Sequence, residues 1–255
     1  MVIRTIKVNL ARIFQSPSFY ICILAIALVN YSNFYSNMML DGYTDMASSV
    51  IHMDSGFSIT NWVLCIVGGG LDYCKEVKNG YLYFNVARNG VKTYSIGKII
   101  AAGIGGFVCA CFGLLLHNLA AFFTIFYHTG NFQKTIIKGT EQTAFSVVST
   151  LFLMIFGISL FCALLSMFGL MVTTIVSDYF MGVAMPILAY HCYAIIVNRK
   201  NLPDFLNLSV VYYYPAYLSD NLIRSYLYAL LLTCCAGYIF YRLIVRNIGR
   251  RLEHV

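Results

Sequence analysis

The side chains able to do chemistry in this chain are few, and most gather in one polar stretch, residues 72–98, DYCKEVKNGYLYFNVARNGVKTYSIGK. It holds Asp72, Lys75, Glu76, Lys78, Arg88 and Lys98. Two Asn-Gly pairs, Asn79-Gly80 and Asn89-Gly90, interrupt it, and such pairs favour positive φ and reverse the chain sharply. Between them Tyr81–Ala87 is an apolar run too short to cross a bilayer. The stretch reads either as a small structured element able to pass a push from a soluble partner into the membrane, or as an ordinary charged loop. Catalytic sets are missing elsewhere. There is no H-E-x-x-H, no Ser in a G-x-S-x-G setting and no pair of acidic or histidine ligands within an apolar segment. None of the nine cysteines forms a C-x-x-C pair with a histidine partner, and the outer connections carry none to form a disulfide. Buried in apolar segments, they act as small hydrophobes.

The elements that must position residues 72–98 are membrane-length. Hydrophobic residues make up 60% of the chain and charged ones 11%, against roughly 25% charged in an average soluble protein. Six segments approach the roughly 20 apolar residues that a spanning helix needs: near 18–39, 57–73, 97–126, 144–176, 179–198 and 224–246. The second is short and flanked by Asp72, and the third and fourth exceed the minimum, so they tilt or project. These runs are long and continuously apolar, unlike the alternating strands of a β-barrel. The expected fold is an all-α integral membrane protein of one domain, 17–255, preceded by a short helix over 1–16. With both termini inside, twelve Lys and Arg fall on the inner face and five on the outer, a positive-inside asymmetry. The net charge of +7 is thus a topology signal with some attraction for anionic lipid. It does not mark a nucleic-acid surface, because the basic residues are spread over three membrane-flanking segments. No small-residue cleavage site follows Val29, so the first apolar run reads as a permanent span.

Residues 1–16 place Ile3, Ile6, Leu10, Ile13 and Phe14 at helical spacing, with Arg4, Lys7 and Arg12 elsewhere on the wheel. That pattern suits a basic amphipathic helix lying in the inner interface; the alternative is a frayed leader that only enforces topology. Ser16-Pro17-Ser18 ends it and restarts the chain. In the first span Asn30, Asn33 and Asn37 share one helical face, near Phe34, Met38 and Met39. This face lines a route for cargo, or its amides bond a neighbouring helix. Gly97, Ala101 and Gly105, with Ala102, Gly106 and Ala110 beside them, form two small-residue ridges that permit close helix approach within the subunit. Pro186 is expected to kink the fifth span, and His191 there reads as a packing residue or a proton relay. The connection 199–223 is rich in aromatics, and Tyr212, Tyr213, Tyr214 and Tyr217 suit the headgroup level.

In this order, Glu76, Gly80, Arg88, Tyr94 and Lys98 resemble the type-2 ABC transporter permease family. Its members carry an acidic residue, a Gly turn and a short coupling helix between the second and third spans. They share six spans with both ends inside, an amphipathic amino-terminal helix before a Pro-containing step, and an elaborated outer connection between the last two spans. Tyr81 stands where many members carry Thr. The resemblance implies ATPase coupling through Asp72, Lys75, Glu76, Lys78, Asn79, Gly80, Tyr81, Arg88, Tyr94 and Lys98. It also implies re-entrant or interfacial helices at 199–223 forming an outer gate at Tyr212, Tyr213, Tyr214 and Tyr217.

No G-x-x-x-x-G-K-[ST] occurs, so this chain cannot cradle ATP phosphates by the P-loop route. The resemblance then requires a separate ABC nucleotide-binding ATPase subunit, which holds the ATP and Mg, and a second permease copy, identical or homologous. This chain itself is expected to be no enzyme and to bind no cofactor. The implied setting is a bacterial plasma membrane, and the implied role is export of amphipathic or hydrophobic cargo along Asn30, Asn33, Phe34, Asn37 and Met38. Peptides or toxins lead as cargo, with lipids and drugs next. An oligomeric channel or an accessory membrane subunit is the competing reading, separated from the first by dependence on an ATPase.

Overall fold

The computed structural model describes residues 2–41, 59–130, 144–199, 203–213 and 222–253, and the described chain is all-helical. Ten α-helices follow in order: α1 Val2–Phe14, α2 Pro17–Asp41, α3 Ile59–Gly69, α4 Asp72–Lys78, α5 Tyr81–Asn89, α6 Val91–Thr129, α7 Ala144–Ile175, α8 Tyr179–Arg199, α9 Leu208–Tyr213 and α10 Leu222–Glu253. A 3-10 turn, Asp204–Leu206, precedes α9. Five of them (α2, α6, α7, α8 and α10) are long and apolar enough to cross a membrane. At 1.5 Å per residue, α2 is about 38 Å long and α6 about 58 Å. The hydrocarbon core is about 30 Å thick, so α6 overshoots it by several turns.

The protein is an α-helical membrane protein. Its outward faces say so independently of length, because α2, α8 and α10 present Leu24, Leu28, Leu188, Ile195, Leu227 and Leu231 as exposed side chains. Apolar surface on that scale is stable only against lipid or another apolar face.

The second apolar segment departs from its expected extent of 57–73. Its described helix, α3, covers 11 residues, about 16 Å, and stops at Gly69. Three glycines in a row, Gly68-Gly69-Gly70, weaken the helix end, and α4 starts afresh at Asp72. The close fit there also depends on glycine. A β-carbon on Gly69 would lie 2.5 Å from Gly106 N and 2.7 Å from Ser166 Oγ, so α3, α6 and α7 meet at backbone contact distance.

Helix α7 is the hub, packing against α3, α6, α8, α9 and α10. The two small-residue ridges of α6 serve different neighbours. Gly97 faces Thr5 and Asn9 of α1, and Gly105 faces Gly69 and Ile13. Gly106, on the other ridge, faces Ser166 and Cys162 of α7. The amino-terminal helix is therefore packed on protein along Thr5, Asn9 and Ile13, all buried. Its apolar residue Ile3 points away and is 70% exposed. Pro17 opens α2, and Phe19 N donates to Ser16 O at 3.1 Å. Helix α8 runs through Pro186 without interruption.

Candidate functional site

At one end of the bundle, α4 and α5 form a folded elbow. Gly80 with φ of 72° and Gly90 with φ of 75° mark its two corners, as the Asn-Gly pairs predict. Helix α5 is anchored by Leu82 and Val86, one turn apart and both nearly inaccessible. They belong to a small second core with Tyr73 of α4, Tyr94 and Ile99 of α6, Met167 and Leu170 of α7, and Ile244 and Ile248 of α10. The opposite face of α5 is bare: Tyr81 is 62% and Phe84 69% exposed, with exposed Arg88 a turn further on. These three lie at i, i+3 and i+7, on one side of the helix.

Inside the elbow sits a buried ionic cluster centred on Glu76. Its Oε1 receives Arg12 Nη1 at 2.6 Å and lies 3.0 Å from Lys98 Nζ. Its Oε2 accepts the Tyr94 hydroxyl at 2.5 Å. Asp72 stands 3.8 Å from both Lys98 and Lys75. Glu76 and Lys98 are both buried, at 6% and 3% exposure, so each charge depends on its partners for stabilisation. Three elements are thereby tied together: α1 through Arg12, α4 through Glu76 and α6 through Tyr94 and Lys98. On the far side of α4, Arg251 Nη1 reaches the Tyr73 hydroxyl at 3.3 Å and Ser177 Oγ at 2.5 Å, and Lys78 Nζ lies 4.4 Å above the Tyr179 ring. The amino-terminal helix, the elbow, the α7–α8 turn and the end of α10 thus share one end of the bundle. Burial pushes the Tyr73 hydroxyl and the Cys74 thiol above their ordinary pKa ranges, against the opposing pull of Arg251 and Lys78 respectively.

Of the residues expected at this site, the structure brings Asp72, Lys75, Glu76, Tyr94 and Lys98 into one cluster. Asn79, Gly80, Tyr81 and Arg88 lie on the exposed outside of the elbow. Arg12 and Arg251 are additions from the chain ends. Their partners are 64 and 178 residues away, beyond the reach of any local pattern.

The amide face of α2 divides. Asn30 is buried and exchanges hydrogen bonds with Asn61 of α3, Nδ2 to Oδ1 at 3.2 Å and the reverse at 3.0 Å. Its Nδ2 also meets Ile26 O at 2.7 Å. Of the two readings open for this face, helix–helix bonding describes Asn30. Phe34 is buried edge-on against His117 of α6, centroids 6.1 Å apart. Asn33, Asn37 and Met38 are half-buried.

The outer tyrosines also divide. Tyr212 and Tyr213 of α9 are buried inside the bundle. Glycine at 157 is the cause, since a β-carbon there would lie 2.3 Å from Tyr212 O; its absence lets the α9 backbone seat directly on α7. Tyr212 then bonds Thr233 Oγ1 of α10 at 2.8 Å. Tyr214 and Tyr217 lie outside the described residues. An aromatic cluster surrounds this seat. Phe161 of α7 contacts Trp62 at 5.6 Å, Tyr190 at 5.0 Å, Tyr212 at 5.5 Å and Tyr213 at 5.7 Å between centroids. His191 packs on Trp62 at 5.7 Å. Trp62, the only tryptophan, was the available signal for this cluster. No family model, curated protein or solved structure matches this chain.

Proposed function

We propose that this chain is the permease subunit of an ABC exporter, with six spans, α3 belonging to the second, and both termini cytoplasmic. The observation that carries the reading is the elbow. Its short helix α5 is fixed to the bundle by Leu82 and Val86 and offers Tyr81 and Phe84 outward. A soluble subunit pressing on that aromatic face would load α4 directly. Through Glu76 the load passes to α1 and α6 together, because a buried ionic cluster resists shear between the elements it joins.

ATP with Mg is bound and hydrolysed by a separate nucleotide-binding subunit in this scheme, and this chain supplies motion rather than bond chemistry. A second permease copy completes the pathway. Cargo is amphipathic or hydrophobic, with peptides or toxins first, and it follows the half-buried face of Asn33, Asn37 and Met38. The aromatic cluster around Phe161 closes the outer side. The twelve-to-five basic asymmetry supports a cytoplasmic elbow, and in this scheme the membrane is a bacterial plasma membrane.

The test is co-expression with candidate ABC nucleotide-binding ATPases, followed by purification and measurement of ATP hydrolysis in nanodiscs. Tyr81→Ala with Phe84→Ala removes only exposed surface. The reading expects a stable complex with native protein and a loss of about tenfold or more in assembly with the double variant, as for central aromatic anchors. Failure of every such ATPase to bind, or assembly indifferent to both substitutions, sinks it and leaves the channel or accessory reading.

A further inference from the structure

A cleft of about 190 Å³ opens between α1, α5 and the first turn of α6, lined among others by Arg4, Arg12, Arg88, Asn85, Asn9 and Val8. Three arginines line it and no carboxylate does. Arg12 spends one nitrogen on Glu76, while Arg4 and Arg88 are exposed and make no ion pair or hydrogen bond among the described residues. Arg12 has its counter-charge in Glu76, but Arg4 and Arg88 share the cleft with none, and a bound anion relieves the repulsion between them. Guanidinium forks match phosphate oxygens in pairs, and Asn9 of α1 and Asn85 of α5 line the cleft from its two sides.

The surroundings say where the phosphate comes from. Val8 lines the cleft and is 45% exposed, and Ile3 beside Arg4 is 70% exposed. An occupant therefore meets guanidinium and bare hydrocarbon side by side, at the end of α6 where its membrane-length apolar run begins. An amphipathic helix at this level dips its apolar face into the acyl boundary and holds its basic face among the headgroups. We infer that the cleft binds the phosphodiester headgroup of an anionic phospholipid of the inner leaflet, with its acyl chains lying along Ile3 and Val8. The bound lipid wedges α1 against α5 and meets the Glu76 cluster at Arg12 and Tyr94, which line the cleft. Specific lipid binding goes beyond the general attraction of a basic protein for an acidic bilayer, and it does not depend on the transport reading.

The experiment uses the chain alone in nanodiscs of mixed phosphatidylglycerol and phosphatidylcholine, with co-purifying lipid counted by native mass spectrometry. About one phosphatidylglycerol should persist per chain, and R4Q/R88Q should lower its retention about tenfold, because the headgroup then faces two fewer positive charges. K7Q/K92Q removes the same charge from exposed positions outside the cleft lining and should leave retention unchanged. Equal losses in both pairs would reduce the effect to general attraction and overturn the site. Complete displacement by excess inorganic phosphate would assign the cleft to a soluble anion and overturn the lipid. A photoactivatable phosphatidylglycerol provides a measurement on unaltered protein, independent of how the variants fold. Its adducts are expected within 2–14 and 81–89, and adducts only elsewhere reject the proposal.

Discussion

Asn30 and Asn61 face each other across α2 and α3 and exchange two hydrogen bonds, amide to amide. Neither amide has access to water, and in hydrocarbon an unmatched amide is costly. The pair fixes the register of two helices whose other contacts are mainly van der Waals.

That geometry makes a prediction about additivity. Asn30→Leu and Asn61→Leu should each destabilise the protein by about 1–2 kcal/mol, since each removes both inter-helix bonds and leaves the other amide short of a partner. The double substitution should cost clearly less than the sum, because both members of the pair are then gone. Thermal unfolding in mild detergent gives all three values. Strict additivity would show that the two amides act independently.

A second prediction concerns the glycine ridges of α6. A β-carbon at Gly106 would lie 2.6 Å from Ser166 Cβ and 2.9 Å from Cys162 O. At Gly103 the nearest atom is the Met167 sulfur at 3.2 Å, on a flexible side chain that can turn aside. Both substitutions to Ala gain similar helix propensity, so their difference isolates packing. Gly106→Ala should cost about 1–3 kcal/mol by overpacking, and Gly103→Ala should be neutral or mildly stabilising. Melting temperatures of the two variants in the same detergent decide it, and equal melting temperatures would contradict the packing described.

Much of the architecture is legible locally. Asn79-Gly80 and Asn89-Gly90 specify two positive-φ corners by backbone sterics alone, and the helix between them follows. Pro17 marks the start of α2 for a similar reason. The burial of Tyr212 is not legible in that way. A tyrosine near the end of an apolar segment suits the headgroup level by its own chemistry, and only the bare backbone at Gly157, some 55 residues earlier in sequence, makes room for it inside. The amphipathic pattern of α1 likewise identifies its apolar stripe, yet the face it buries carries Thr5 and Asn9. Small polar residues fit the ridge at Gly97, where bulk matters more than hydropathy. In the cluster around Glu76, its partners on α6 fall within the same polar stretch, whereas Arg12 is placed by the tertiary fold.

That cluster yields the last prediction. Lys98 is 3% exposed and has Glu76 at 3.0 Å and Asp72 at 3.8 Å. Removing Glu76 leaves a buried ammonium with only the more distant carboxylate, and removing one member of a buried pair typically costs about 3–5 kcal/mol. Glu76→Ala should therefore destabilise the whole elbow. Lys98→Met keeps the length and apolar stem of the side chain without its charge, and combined with Glu76→Ala it removes both members of the closest pair. The double variant should recover more than half of the loss, even though Arg12 and Tyr94 remain without their acceptor, because Arg12 is half-exposed at the side chain, 47%, and can turn to water. Arg12→Gln alone should cost far less, about 1 kcal/mol, for the same reason. Denaturant melts of the four proteins give the ranking directly. If Arg12→Gln proved as damaging as Glu76→Ala, the buried Lys98 would not be what makes Glu76 necessary, and the stability of the elbow would rest on its link to α1 instead.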